Sequence, residues 1–453
     1  MKKLLAILLT LSILISLTAC KITKDPDSFL NGVNLEEYSI VYSADAPDYN
    51  KRAAEYIAEQ IEARTNLKLT VSTDDAAEQK YEIVVGETNR AISAELNAEA
   101  EPLEFAIFEK DGKIALEADY FVIAAAAYFF IDTYVPNDGY EATIPAGISI
   151  HAPIVREAKN FIMLIGDGMG VNQTLLFDYL TDTTDYSDGE DVFYGYMFPS
   201  HGFSMTNSLS GVTDSAAGGT ALSTGYKTKN NYLGMLPDET VLTSLTELAI
   251  SLGMSTAVHS TEDQTGATPS SFSAHNINRN NSSEIRTEQF ALKQSAGTII
   301  ECNFDYYTDR YMNNVIEPLI LDTLGKLDDN EKGFFLMYEE AHIDKHSHKN
   351  DMQKTFEALI RFNQVIARYM EYAFYNPDTF ILITADHETG GLYADTEGGA
   401  LSYHTESHTS ANVPIFAYGA GSELFDGKTM ENTEIPKIIA SLMGVDNFGD
   451  QNS

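Results

Sequence analysis

Six short segments after residue 160 hold the residue types that could do chemistry on a charged substrate. Asp167 sits in Ile165-Gly166-Asp167-Gly168-Met169-Gly170, where an apolar run meets a glycine-rich turn. Glycine lets the backbone approach a ligand closely, although an acid in a turn is often just a helix cap. Asp214-Ser215 precede Ala216-Ala217-Gly218-Gly219, so a helix can start there and pack tightly. A serine at that end meets free N–H groups and the positive pole of the helix, which suits a phosphate or a serine alkoxide. On residue types alone, a Ser/Asp cap is the plainer reading. Thr268-Pro269 reads as the N-cap and first residue of another helix. Arg279 follows eleven residues after Thr268; its guanidinium could bind an oxyanion bidentately, though a lone Arg is more often half of a surface ion pair. Glu339-Glu340-Ala341-His342-Ile343-Asp344-Lys345-His346-Ser347-His348 crowds titratable groups behind an apolar run. There Asp344 and His348, four apart, can meet on one helical face as metal ligands do. Asp386-His387 ends another apolar run, and His404 and His408 precede a last one. Chemistry alone does not choose between those two histidines.

The elements that must position these groups are readable. Phe161–Ile165, Phe334–Tyr338, Phe380–Thr384 and Val413–Tyr418 are apolar runs of strand length alternating with helical segments. That alternation predicts an α/β fold with a mostly parallel sheet flanked by helices. The first three runs lead into Asp167, Glu339 and Asp386-His387. Ligands in such sheets sit beyond the carboxyl ends of the strands, so acids delivered there by three buried strands would make a metal site. Phe356, Leu359, Ile360, Phe362, Val365, Ile366, Tyr369 and Met370 recur at helical spacing and read as core.

Ahead of this, 29–153 reads as a small α+β domain. Its expected strands are Tyr38–Ser43 and Tyr81–Gly86, its expected helices Tyr49–Arg64 and Phe121–Tyr134, and a hairpin is expected about Asp111-Gly112. The module is read as holding no histidine and no clustered polar motif, all ten histidines lying at or after His151, so any histidine chemistry is expected in the second part. Residues 181–191 read as an acidic surface loop.

Composition bounds the partners. Hydrophobic residues make up 44% of the 453, which excludes a disordered chain. The net charge of −38 argues against nucleic acid and anionic membranes as partners and permits metal cations. An anionic substrate would need local positive charge. Lys2 and Lys3 precede an uncharged run from Leu4 to Ala19 that ends Leu17-Thr18-Ala19-Cys20. This resembles a bacterial lipobox: 1–19 would be a signal peptide, Cys20 the lipidated N-terminus, and 20–28 a tether. Lipidation of Cys20 leaves Cys302 without a disulfide partner, and Cys302 reads as a packing residue.

Taken together, "IGDGMG", "VTDSAAGGTALSTGYKTKN", "ATPSSFSAHNINR", "EEAHIDKHSH", "TADHETGG" and "HTSANVPIFAYG" resemble the alkaline phosphatase family in family order, over about 158–445. The catalytic domain is expected over 158–447. The resemblance implies hydrolysis of small phosphomonoesters, with Ser215 as the phosphorylated nucleophile and Arg279 on the phosphate. It implies a first Zn2+ on Asp344, His348 and His408, and a second on Asp386, His387 and Asp167. A third ion, normally Mg2+, would lie on Asp167, Thr268 and Glu339. His408 is preferred to His404 because it directly precedes a Thr and the last strand. Two departures bear on the third ion. Gly266 stands where many relatives place an acid or histidine, and Lys345, beside the phosphate or third site, stands where some have histidine. A phosphodiesterase of the same superfamily and an inactive surface-binding lipoprotein are the alternatives, and a homodimer is left open. The expected location is extracytoplasmic, on a membrane through acylated Cys20. The first module loosely resembles accessory domains of extracellular glycoside hydrolases, through "YEIVVGETNR" and the helix before it.

Overall fold

The computed structural model describes residues 28–95, 101–135, 139–181, 192–302, 316–394 and 401–449. The expected leader, Cys20, the tether before Ser28 and residues 182–191 of the acidic loop lie outside the described residues. Two compact units divide the chain, the first ending at Pro153 and the second beginning at Ile154. Among the described residues no helix is long and apolar enough to cross a membrane.

In the first unit a six-stranded sheet runs in the order Val71–Thr73, Ser39–Tyr42, Glu82–Val85, Lys113–Glu117, Phe105–Lys110, Ser149–His151. The first four strands are parallel, and the last two pair antiparallel. Asp111 and Gly112 both take positive φ, 53° and 84°, as a two-residue hairpin turn requires. The helix Asp48–Thr65 buries Ala53, Ala54, Ile57 and Ile61, as their spacing predicts. His151 is a correction. It ends the edge strand, so this unit does contain a histidine. Its ring lies 4.3 Å from that of Phe129, and burial lowers its pKa, both marks of a packing residue.

The second unit is built on eight strands in the order Ile299–Cys302, Ser255–Ser260, Phe334–Glu340, Asn160–Gly166, Thr379–Thr384, Val413–Tyr418, Ser200–Met205, Thr429–Glu431. The middle strands are buried along their whole length, which suits a parallel sheet covered on both faces. Phe161, Met163, Ile165, Phe335, Met337, Phe380 and Leu382 pack into one cluster with Leu245, Leu248, Ile435 and Ile439 from the helices Leu245–Leu252 and Glu434–Leu442. Tyr338 faces the other way, stacking on Phe362 of the long helix Met352–Tyr375. Cys302 packs against the core cluster, and burial pushes its thiol pKa up.

Strand direction decides where chemistry can gather. Val413–Tyr418 runs antiparallel to both neighbours, while every other pairing in this sheet is parallel. Its first residue therefore lies at the edge where the other strands end. Ile165 pairs with Glu339 and Thr384, and Ser260 pairs with Glu339, so these carboxyl ends form one row. A residue just ahead of Val413 can reach the same edge.

Candidate active site

Past the end of Asn160–Gly166, Gly168 turns the chain with φ +73°. A Cβ there would lie 2.8 Å from the Asp344 Cα, so only glycine lets these two segments touch. Asp344 belongs to the short helix His342–Ser347, and the His348 N–H closes it on the Asp344 carbonyl at 2.8 Å. The four-residue spacing works as expected: His348 Nε2 lies 3.3 Å from Asp344 Oδ1. His408 Nε2 lies 3.6 Å from the same oxygen and 3.1 Å from His348 Nε2. These three residues present ligand atoms within 4.8 Å of one another, and so do Asp167, Asp386 and His387.

The outer hydrogen bonds fix the imidazoles. His348 Nδ1 faces the Glu406 carbonyl at 2.5 Å, and His408 Nδ1 faces the Thr213 carbonyl at 2.8 Å. A carbonyl can only accept, so both Nδ1 atoms carry a proton, and in the neutral ring this leaves Nε2 to act as a metal ligand. Two Nε2 atoms and a carboxylate oxygen converging on one point are a donor set that a cation can bridge. A proton could serve two of the three acceptors; a metal ion serves all three. Thr389 joins the triads, donating to Asp344 Oδ1 at 2.5 Å with its hydroxyl 3.2 Å from His387 Nδ1.

The second group is more deeply buried. Asp386 and His387 are fully enclosed and Asp167 nearly so. Asp167 Oδ1, Asp386 Oδ2, Glu339 Oε1 and Thr268 Oγ1 are buried without a well-formed hydrogen bond among the described residues, although Thr268 neighbours Glu339 and His387 Nε2 lies 3.2 Å from Asp386 Oδ2. Burial, then the neighbouring Asp386 and Asp344, push the Asp167 pKa well above the carboxylate range. Burial and Asp344 raise Asp386 to about 7, and burial and Glu262 raise Glu339 to about 8. Burial, then His408 and His348, hold His387 well below the usual histidine value. It is neutral, as ligation requires. Orphaned acceptors beside mutually repelling acids make a donor set that fits cations.

Ser215 opens the helix Ser215–Thr224 as its first residue. Asp214 is the cap, its Oδ1 accepting from the Ala217 N–H at 3.0 Å. Ser215 Oγ lies 3.2 Å from His387 Nε2. Gly218 lets this helix sit on the backbone of Asp386, whose carbonyl oxygen would be 2.9 Å from an added Cβ. Arg279 Nη1 is 3.4 Å from Asp214 Oδ2, one residue from the serine. Lys345 Nζ lies 2.9 Å from Glu262 Oε2.

The sequence-derived set therefore comes together, with two adjustments. Thr268 does not cap its helix. Gly266 is the cap of Ala267–Ser271, so Thr268 and Pro269 lie inside the first turn. His404 stands apart from both triads, its ring stacked on Tyr393 at 3.6 Å. Sequence reasoning passed over Thr389, Ser260 and Glu262. Thr389 lay inside "TADHETGG", and only its position between two distant ligands marks it out.

The profile described as Alkaline phosphatase matches residues 158–307 and 301–405. The chain belongs to the alkaline phosphatase family. Alkaline phosphatase 3 of Bacillus subtilis is 28% identical over 329 residues, covering 61% of this chain and 70% of that protein. Alkaline phosphatase of Escherichia coli is 25% identical over 375 residues, covering 59% and 78%. Among solved structures, alkaline phosphatase from the Antarctic bacterium TAB5 superposes with a TM-score of 0.56 at 25% identity. That superposition covers 64% of this chain and 99% of that one. A variant of the TAB5 enzyme carries Mg in its M3 site. The chain is thus a phosphatase on an alkaline-phosphatase-like α/β fold, and family membership points to phosphate ester hydrolysis. The family match ends at residue 405, short of His408, which the geometry sets beside Asp344 and His348.

Proposed function

We propose that this chain hydrolyses phosphate monoesters through a phosphoserine on Ser215, releasing inorganic phosphate and an alcohol. The observation that carries this reading is the Ser215 hydroxyl, 3.2 Å from His387 Nε2 at the buried start of a helix. Two Zn2+ suit the two triads of imidazole and carboxylate donors, and one Mg2+ suits the all-oxygen set of Asp167, Thr268 and Glu339. When bound, such ions supply the charge that attracts a phosphate dianion to an acidic protein, and they ease deprotonation of serine and water. The chain's own residues do the rest. Ser215 Oγ forms the new bond to phosphorus as the ester P–O bond breaks and the alcohol departs. Arg279, tethered beside the serine by Asp214, holds the non-bridging oxygens. Thr389 keeps Asp344 and His387 in fixed orientation. Water then cleaves the phosphoserine, regenerating the hydroxyl and releasing phosphate.

The leader supports an extracytoplasmic enzyme anchored to a membrane through Cys20. The first unit is read as an accessory domain without activity of its own. The test of the central reading is Ser215→Ala, assayed on p-nitrophenyl phosphate and on its bis-ester. Monoester turnover should fall by roughly three orders of magnitude or more, with zinc content retained. Unchanged turnover would remove Ser215 from the mechanism. Preference of the unaltered protein for the diester would favour a phosphodiesterase, and a zinc stoichiometry near zero would favour a binding lipoprotein.

A further inference from the structure

Gly266 has no backbone reason to be glycine. Its φ is −53°, within reach of any residue. A side chain there would have to displace Glu262. A Cβ on Gly266 would lie 1.8 Å from Glu262 Oε1 and 2.2 Å from its Cδ, so the Glu262 carboxylate fills the space over the glycine. Its other oxygen, Oε2, takes Lys345 Nζ at 2.9 Å. The Glu262 N–H donates to Ser260 Oγ at 2.9 Å, and that hydroxyl donates in turn to Glu339 Oε2. The Glu262 backbone is thus tied to Glu339 through Ser260, and its carboxylate lies over Gly266, two residues before Thr268.

Glu339 and Thr268 are fully enclosed beside one another, and among the described residues no well-formed hydrogen bond satisfies Glu339 Oε1, Thr268 Oγ1 or Asp167 Oδ1. We propose that Glu262 is the positioning carboxylate of a hard-cation site with Asp167, Thr268 and Glu339, and that residue 266 is glycine to make room for it. This rests on the metal-dependent reading above. The donors Asp167, Thr268 and Glu339 are all oxygens, with Glu262 a third carboxylate beside them, which favours Mg2+ over ions that prefer nitrogen or sulfur. Lys345 offsets one of the three negative charges and pins Glu262 over the glycine. The acid missing at position 266 is supplied from four residues upstream.

The experiment is a calorimetric Mg2+ titration of the full chain preloaded with two equivalents of Zn2+. Glu262→Gln keeps the shape and removes the charge; its Mg2+ dissociation constant should rise about tenfold or more, the usual cost of losing such a supporting group. Gly266→Ala should weaken Mg2+ in the same direction, because the methyl group displaces the Glu262 carboxylate. Bound zinc should be unchanged in both variants and reports that the fold survives. Equal Mg2+ affinity in Glu262→Gln and the unaltered protein would overturn the inference and leave Glu262 only as a partner of Lys345. An unaltered protein that binds no Mg2+ yet hydrolyses the monoester would overturn the cation site while sparing the phosphatase reading. Loss of zinc binding and activity in the unaltered protein would instead sink the reading beneath it.

Discussion

The buried Glu82 of the first unit and the buried acids at the strand ends of the second unit are treated in opposite ways. In the first unit Glu82 is buried with Arg90, whose Nε and Nη2 donate to it at 3.0 and 3.2 Å, and with Lys113 Nζ at 2.7 Å. Arg90 also donates to the carbonyls of Asp74 and Ala76. Burial works against ionisation of Glu82, but the Gln79 N–H, Lys113 and Arg90 win and lower its pKa. In the second unit burial and the neighbouring acids outweigh the hydrogen bonds from Ser260 and the Gly168 N–H, and Asp167, Glu339 and Asp386 are all raised. A buried acid supplied with its own cations is a structural brace. Buried acids left to repel one another, with oxygens lacking partners, are a seat for a cation that the chain does not encode.

The sharpest way to break this contrast is Asp386→Asn. It should lower zinc content and cut monoester turnover by about three orders of magnitude. In metal-free protein the same change should stabilise the fold at alkaline pH. Asp386 and Glu339 have folded-state pKa values of about 7 and about 8, raised from ordinary values of 3.8 and 4.5. The folded state therefore holds more protons than the unfolded one between those values, so stability is fully present below about pH 4 and is lost as pH rises towards 8. Calorimetry of the metal-free protein should show its Tm falling by roughly 10 °C between pH 5 and pH 9. Asp386→Asn should reduce that fall, and added Zn2+ should abolish it in the unaltered protein. A metal-free Tm that climbs over this range would contradict the account.

The matching change in the first unit is Glu82→Gln. It leaves Arg90 and Lys113 short of a counter-charge in a buried place, at a cost of about 3 kcal/mol. Urea unfolding should place that loss in the first unit. Zinc content and turnover per folded molecule should not move, since no residue of that unit serves in the mechanism. A large loss of turnover in this variant would overturn the assignment of all chemistry to the second unit.

How far the sequence carried depended on what kind of fact was asked for. The runs beginning at Phe161, Phe334 and Phe380 showed as strands because a sheet covered on both faces demands unbroken apolar residues. The acids just past them were visible because each breaks such a run. The start of the helix at Ala267–Ser271 was misplaced because Thr-Pro is a strong helix-start signal, whereas the actual cap is Gly266, two residues before Thr268. Glu262 itself was invisible. Nothing in one strand's sequence tells that a carboxylate will fold back over a glycine four residues later and meet Lys345 from another strand's end. Thr389 was missed for the same reason, since its partner Asp344 is 45 residues away.

The choice between His404 and His408 turns on a register that composition does not contain. Glu388–Thr389 pairs antiparallel with His408–Thr409, which sets His408 opposite Thr389 and stacks its ring 3.6 Å from His387. His404 falls on the next stretch of the same excursion, stacked on Tyr393, with Nε2 3.0 Å from Ser402 Oγ. His404→Ala should consequently leave zinc content unchanged and monoester turnover within about twofold of the unaltered protein, the range expected of a surface substitution. His408→Ala should release zinc from the triad with Asp344 and His348. Zinc content and turnover measured on the two variants side by side decide the matter. Equal zinc loss from both would mean that the ribbon is registered differently in solution, and that the contrast between a braced unit and a cation-seating unit has been drawn through the wrong imidazole.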